Sequence, residues 1–444
     1  MKSVKKDYLK DSILLLFQKF LKGSLTVLGV SVFARLIGLV KEIVIAREFG
    51  LSSELDTYFL AIMIPMYLVV SFTNPLGPVF IPTFNRDEKE GLEKGQLLFS
   101  KLLTYVIYGA LALAILFGLL IPGLDFLLNV SETNLVLFQN ISLVFIPIVV
   151  IQSISNYLLA FLENRKHFIF TSLGAVLSSV FVLVSVLLFH SIMSIALAML
   201  LSAIVFLLIE IAMLNSKGRI KLTVNWELKS LQPSFKKQYV WLFLASITMG
   251  STLVVDQFMA SYFGESSVSG LNYGYRLAGI VSSMGALTLG AVALPVFSKL
   301  IAENEKEKIS GLLHSLLLGV GIISLPVVAL IYFNSNTITS LLFQRGAFQS
   351  MNVALVSDFL KLYIFQFPFY VAGIVISRLM SSLGKNNSVF VISLLALVLN
   401  VTLNIGFTKW IGISGIALST SVVYLFTFLA LYFSSRRALK TVSE

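Results

Sequence analysis

"ARLIGLVKEIVIAREFGLSS", residues 34–53, is apolar enough to lie in a bilayer, yet it carries Arg35, Lys41, Glu42, Arg47 and Glu48. A charge near the centre of a membrane helix costs roughly 2.5–3.5 kcal/mol on insertion scales, so something polar has to meet these side chains. The end of the stretch matters as much as its middle. "AREFGLSS" at 46–53 returns as "ASYFGESS" at 260–267, the same A-x-x-F-G-x-S-S pattern. A charged spanning helix whose terminal hairpin recurs half a chain later predicts a membrane protein built from two related halves.

The rest of the chain agrees. Of 444 residues, 57% are hydrophobic and 12% charged, more apolar surface than a water-soluble fold of this size can bury. Apolar runs of about 20 residues or more read as transmembrane helices, and their lack of alternation excludes a β-barrel. The spans expected are 23–48, 55–83, 97–122, 135–161, 167–189, 192–214, 237–262, 267–297, 309–332, 353–382, 388–407 and 411–434. With the N-terminus inside, the loops on the far side hold only two basic residues, Arg345 and Lys409. The positive-inside rule then puts both termini in the cytoplasm. The net charge of +11 is thereby a property of topology and points to no nucleic acid. There is no cysteine, and His167, His190 and His314 stand too far apart for a metal-ligand spacing.

Further anchors extend the repeat. "FIPTF" at 80–84 answers "ALPVF" at 293–297, "LENRKHFIF" from 162 answers "LGKNNSVFV" from 383, and "SIALAML" from 194 answers "GIALSTS" from 415. Their common order predicts an all-α integral membrane protein of about twelve helices, in two pseudo-symmetric six-helix lobes around a central cavity. The divisions expected are an amphipathic cytoplasmic-face helix at 1–22, a first lobe at 23–214, and a basic cytoplasmic linker at 215–236. A second lobe at 237–434 and a cytoplasmic tail at 435–444 follow. In the repeated hairpin, Gly50 and Gly264 suit helix ends, and Ser53 is placed to cap the next helix with Asp56 three residues on.

Among charges at membrane depth, Arg47 and Arg378 can snorkel, Asp358 and Lys361 can pair, and Glu210 sits near a helix end. Arg35, Lys41, Glu42, Asp256 and Arg276 remain. Arg35 and Glu42, seven residues apart, share a helix face about 10 Å apart along the axis. Cations outnumber anions in the first and eighth spans, which predicts a water-filled cavity that receives an anion.

"ARLIGLVKEIVIAREFGLSSELDTYFLAIMIP", "VDQFMASYFGESSVSGLNYGYRLAG", "LPVFSK", "LLFQRGAF" and "GIALSTS" together resemble the signature segments of the MurJ/MviN family. These are lipid flippases of the multidrug/oligosaccharidyl-lipid/polysaccharide exporter superfamily. The resemblance implies a V-shaped pair of lobes in the bacterial cytoplasmic membrane. It implies alternating access that moves an undecaprenyl-pyrophosphate-linked glycan outward, with that lipid-linked glycan and membrane lipids as the partners. By position, Arg35 and Arg276 match cavity arginines, Lys41 stands where a second arginine is usual, and Glu42 matches an acidic partner. Asp56 matches an aspartate that opens the second helix. Asp256, Asn400, Asn404 and Thr420 fall near the positions of a sodium ion held by some members. Val69 and Val70 stand where members carry an arginine pair, Asn74 and Pro75 where they carry Glu-Gly, and no counterpart of a C-terminal helix pair occurs up to Glu444. The implied substrate is therefore lipid II or a related polysaccharide repeat unit.

Two other functions compete. A membrane glycan polymerase needs a catalytic constellation outside, but the longest outer stretch, 333–352, offers Arg345 and no His, Asp or Glu. A cation-coupled multidrug exporter of the same superfamily calls for an acidic or aromatic cavity, and this one is cationic. No nucleotide-binding loop occurs, so no ATPase subunit is implied and the energy comes from an ion gradient, the membrane potential or removal of product.

Overall fold

The computed structural model describes residues 29–441 except 31, 166, 168, 218–221, 224–232 and 304. The helix expected at 1–22 and most of the linker lie outside these residues. Every element described is helical. The first helix, α1, covers 32–49. It is followed by α2 (Ser53–Thr73), α3 (Leu76–Glu90), α4 (Leu92–Leu127), α5 (Leu135–Asn164), α6 (Ile169–Phe189) and α7 (Ile192–Lys217). The second half holds α8 (Pro233–Ala260), α9 (Ser267–Ala302), α10 (Lys306–Phe343), α11 (Ser350–Tyr363), α12 (Gln366–Ser382), α13 (Asn386–Ile411) and α14 (Ser414–Thr441).

Among the described residues nine helices are long and apolar enough to cross a membrane, or ten when α11 and α12 count as one bent span. Of the two expected spans not among them, 23–48 begins outside the described residues and 267–297 is one continuous helix, α9. Other boundaries differ for local reasons. The run expected at 55–83 is interrupted at 74–75, where Pro75 withholds a backbone donor. The run expected at 353–382 bends by 42° between Tyr363 and Gln366. Pro368, in the first turn of α12, would clash with the carbonyl four residues back, which ends α11 there. α14 runs on to Thr441, so the segment 435–441 is helical.

The repeated hairpin forms in both halves. Gly50 has φ 60° and Gly264 φ 91°, the left-handed region in which a Cβ is unwelcome. Ser52, not Ser53, caps α2 by accepting from the Leu55 amide at 3.3 Å. A Cβ on Gly50 would also lie 2.6 Å from the Ala347 carbonyl oxygen. Gly50→Ala is therefore expected to destabilise the protein by about 1–2 kcal/mol from the backbone conformation alone. Thermal unfolding of the purified protein checks this, and an unchanged midpoint would mean the hairpin relaxes freely.

In the first lobe α5 is central, packed by α2, α4 and α7, with α6 on α7 and α3 on α4. In the second, α12 and α11 pack on α9, α14 packs on α12 and α13, and α10 on α11. α8 bridges, touching α13 on one side and α2 on the other. The cores divide by height. Near the hairpins one cluster draws on both lobes, including Ile45, Leu55, Phe59, Phe145, Tyr273, Phe343 and Ile416. Toward the linker end the core splits. One cluster, around Phe80, Phe99, Tyr157 and Phe161, belongs to the first lobe with the start of α8; the other, around Phe297, Ile376 and Leu379, belongs to the second. The lobes share one core at the hairpin end; at the linker end their cores are separate and α8 bridges them, with Tyr239 on Phe72 and Trp241 on Phe390.

Candidate functional site

α1 and α9 run antiparallel between the lobes, and their register puts the charges in contact. Arg35 Nη1 donates to Ser283 Oγ at 2.5 Å. Two turns along α1, Glu42 Oε1 receives Lys41 Nζ at 2.9 Å and is ion-paired with the Arg276 guanidinium. Arg276 and Ser283 are themselves two turns apart on α9, so the two contacts are rungs of one ladder. The Arg276 guanidinium also lies 5.1 Å from the centre of the Phe59 ring, a cation–π contact contributed by α2.

Lys41 and Arg276 meet one carboxylate and Arg35, two turns along α1, meets only a hydroxyl, so the cluster keeps a surplus of positive charge. Side-chain exposure of 37% at Arg276 and 24% at Lys41 keeps both within reach of a ligand. Glu42 Oε2 and the Tyr273 hydroxyl are buried without a hydrogen-bond partner, polar capacity that the resting cluster leaves unused. Sequence reasoning named all four charged residues but missed Ser283, Phe59 and Tyr273. Only the heptad spacing from Arg276 to Ser283 could have pointed to the first.

Asp56 stands apart from this cluster. It is buried, and its Oδ1 accepts from the Ser269 amide at 2.6 Å, so it caps the first turn of α9. Two more bonds tie the hairpin end together across the lobes: Ser266 Oγ donates to the Leu51 carbonyl at 2.7 Å, and the Ala347 amide to the Arg47 carbonyl at 2.8 Å. The geometry makes Asp56 part of a closure between lobes.

The remaining four predicted residues do converge. Asp256 on α8 accepts through Oδ1 from Asn400 Nδ2 at 3.1 Å and from Asn404 Nδ2 at 2.8 Å, both on α13. Thr420 Oγ1, on α14, donates to Oδ2 at 2.6 Å. All four are buried, and Asn404 Oδ1 is buried with no partner. Carboxylate, amide and hydroxyl oxygens are hard donors. With one acceptor unmet, the set fits a small hard cation.

A family model described as lipid II flippase MurJ matches residues 45–444, starting just after Glu42. The probable lipid II flippase MurJ of Aquifex aeolicus (strain VF5) is 27% identical over 365 residues, covering 80% of this chain and 70% of that protein. A solved structure of a lipid II flippase MurJ in an inward closed conformation has a TM-score of 0.80 at 24% identity, covering 95% of this chain and 90% of the other. An inward-facing multidrug resistance MATE family transporter of the MOP superfamily has a TM-score of 0.77 at 16% identity, covering 92% and 95%. Both structures share the fold. With nine-tenths of its length matched by the family model, the chain belongs to the lipid II flippase MurJ family, whose members are multi-pass membrane transporters rather than enzymes.

Proposed function

We propose that the protein flips a polyprenyl-pyrophosphate-linked glycan, lipid II or a related repeat unit, from the inner to the outer leaflet of the bacterial cytoplasmic membrane. The observation that carries this reading is the positive surplus of Lys41 and Arg276 on Glu42 with Arg35 two turns along α1, placed between lobes whose cores are separate at the linker end. Pyrophosphate is a multivalent anion, and guanidinium grips its oxygens through two parallel hydrogen bonds. Glu42 holds the cations until the substrate arrives and takes its place on them. Binding pulls α1 and α9 onto one ligand. Parting of the hairpin-end bonds at Leu51, Asp56 and Arg47 then opens the other side. The likeness to a multidrug transporter rests on fold, and a cationic cavity suits no cationic drug.

In this reading Asp256, Asn400, Asn404 and Thr420 hold a sodium ion, which supplies a charge whose binding favours one arrangement of α8, α13 and α14. The linker end faces the cytoplasm with both termini, as the basic residues require. Because the chain has no cysteine, single cysteines report the orientation directly. Glu265→Cys and Ser350→Cys, both exposed at the hairpin end, are expected to react with an impermeant maleimide in intact cells. Lys89→Cys, Glu303→Cys and Arg437→Cys, exposed at the other end, are expected not to. The reverse pattern would invert the proposed direction. The function itself is tested by complementation of a strain with a repressible lipid II flippase, with lipid-linked intermediates quantified by mass spectrometry. Growth without accumulation supports lipid II. Failure with accumulation of lipid II in a well-expressed strain points to a different lipid-linked glycan.

A further inference from the structure

One carboxyl of the first lobe lies outside both clusters described above. Glu210 is fully buried on α7, a position that proximity to a helix end does not suggest. Its Oε2 accepts from Ser155 Oγ on α5 at 2.6 Å, and its Oε1 is buried without a partner. The titratable groups on the elements packed against α7 are few. α5 brings Tyr157, whose hydroxyl donates to the Phe99 carbonyl, and Glu163, about two turns beyond Ser155. α6 brings none. α2 brings Tyr58 and Tyr67, bonded to Met199 Sδ and the Ile247 carbonyl, with Glu54 and Asp56 in its first turn at the hairpin end. None of these three helices contains a lysine or arginine. The one cation of α7 itself, Lys217, is seven residues on, about 10 Å along the axis.

An ionised carboxylate enclosed in this way, with one neutral donor and one bare oxygen, carries an uncompensated desolvation penalty. The ligand that removes the charge without needing room is a proton. We propose that Glu210 and Ser155 form a proton-binding site inside the first lobe, occupied while α5 and α7 are packed as they are here and emptied when they part enough to admit water. The site lies in the opposite lobe from Asp256, so proton and cation occupy separate places.

Infrared difference spectra of the full chain at about pH 7 read this proton directly. The carbonyl stretch of a protonated carboxyl is expected in wild type, lost in Glu210→Gln, lowered in frequency in D2O and shifted in Ser155→Ala, which keeps the carboxyl but removes its donor. Loss of a carboxylate band in Glu210→Gln, with no change in the protonated region, overturns the proposal. If Glu210→Gln does not fold, Ser155→Ala decides alone: a shifted protonated-carboxyl band supports the site, and a shifted carboxylate band refutes it.

Discussion

Arg35→Ala together with Arg276→Ala is expected to leave a folded protein that no longer flips. The two arginines contact each other's helices but do not anchor the shared core, which is built from Ile45, Leu55, Phe59 and Tyr273 and their neighbours. Removing one partner of a desolvated charged contact costs roughly 2–5 kcal/mol. At about 1.4 kcal/mol per factor of ten, each single variant loses on the order of 30-fold to several thousand-fold in productive binding. Lysine at either position is expected to restore only part of the flux, because an ammonium cannot make the paired hydrogen bonds of a guanidinium. Lys41→Arg is expected to be tolerated or to raise flux for the same reason. The measurement is the amount of lipid-linked glycan retained on the inner leaflet at matched expression. Wild-type flux through the double variant would leave the ladder of α1 and α9 as a structural pairing.

Asp256→Ala is expected to abolish the stabilisation of the purified protein by sodium. A cation that binds the folded state alone stabilises it by about 2.7 kcal/mol when present at 100 times its dissociation constant. The wild-type protein should therefore unfold at a higher temperature in sodium than in potassium at equal ionic strength. The variant should unfold at the same temperature in both, because the carboxylate that gathers Asn400, Asn404 and Thr420 is gone. Equal midpoints in the two salts for wild type would make the cluster a structural hydrogen-bond network.

Much of the fold was legible because lipid permits few solutions: long apolar runs must be helices, and the A-x-x-F-G-x-S-S repeat marks a turn that glycine alone adopts easily. The span expected at 267–297 is one continuous helix, Ser267–Ala302, whereas the one expected at 23–48 begins outside the described residues. Pairings across the lobes could not be read at all. Spacing put Arg35 and Glu42 on one face, but the register of α1 against α9 decides that they meet Ser283 and Arg276. Asp56 matched a site residue by position, yet it turns to the Ser269 amide, a partner 213 residues away. Glu210 was missed for a related reason. α7 is apolar on every side, so no periodicity tells which face is buried.

The most direct test is transport by the purified protein in vesicles that hold a polyprenyl-pyrophosphate-linked glycan in one leaflet. The account predicts that wild-type protein carries the glycan to the opposite leaflet and that Arg35→Ala with Arg276→Ala does not. Equal movement by both proteins, or none above protein-free vesicles with wild type, would contradict it.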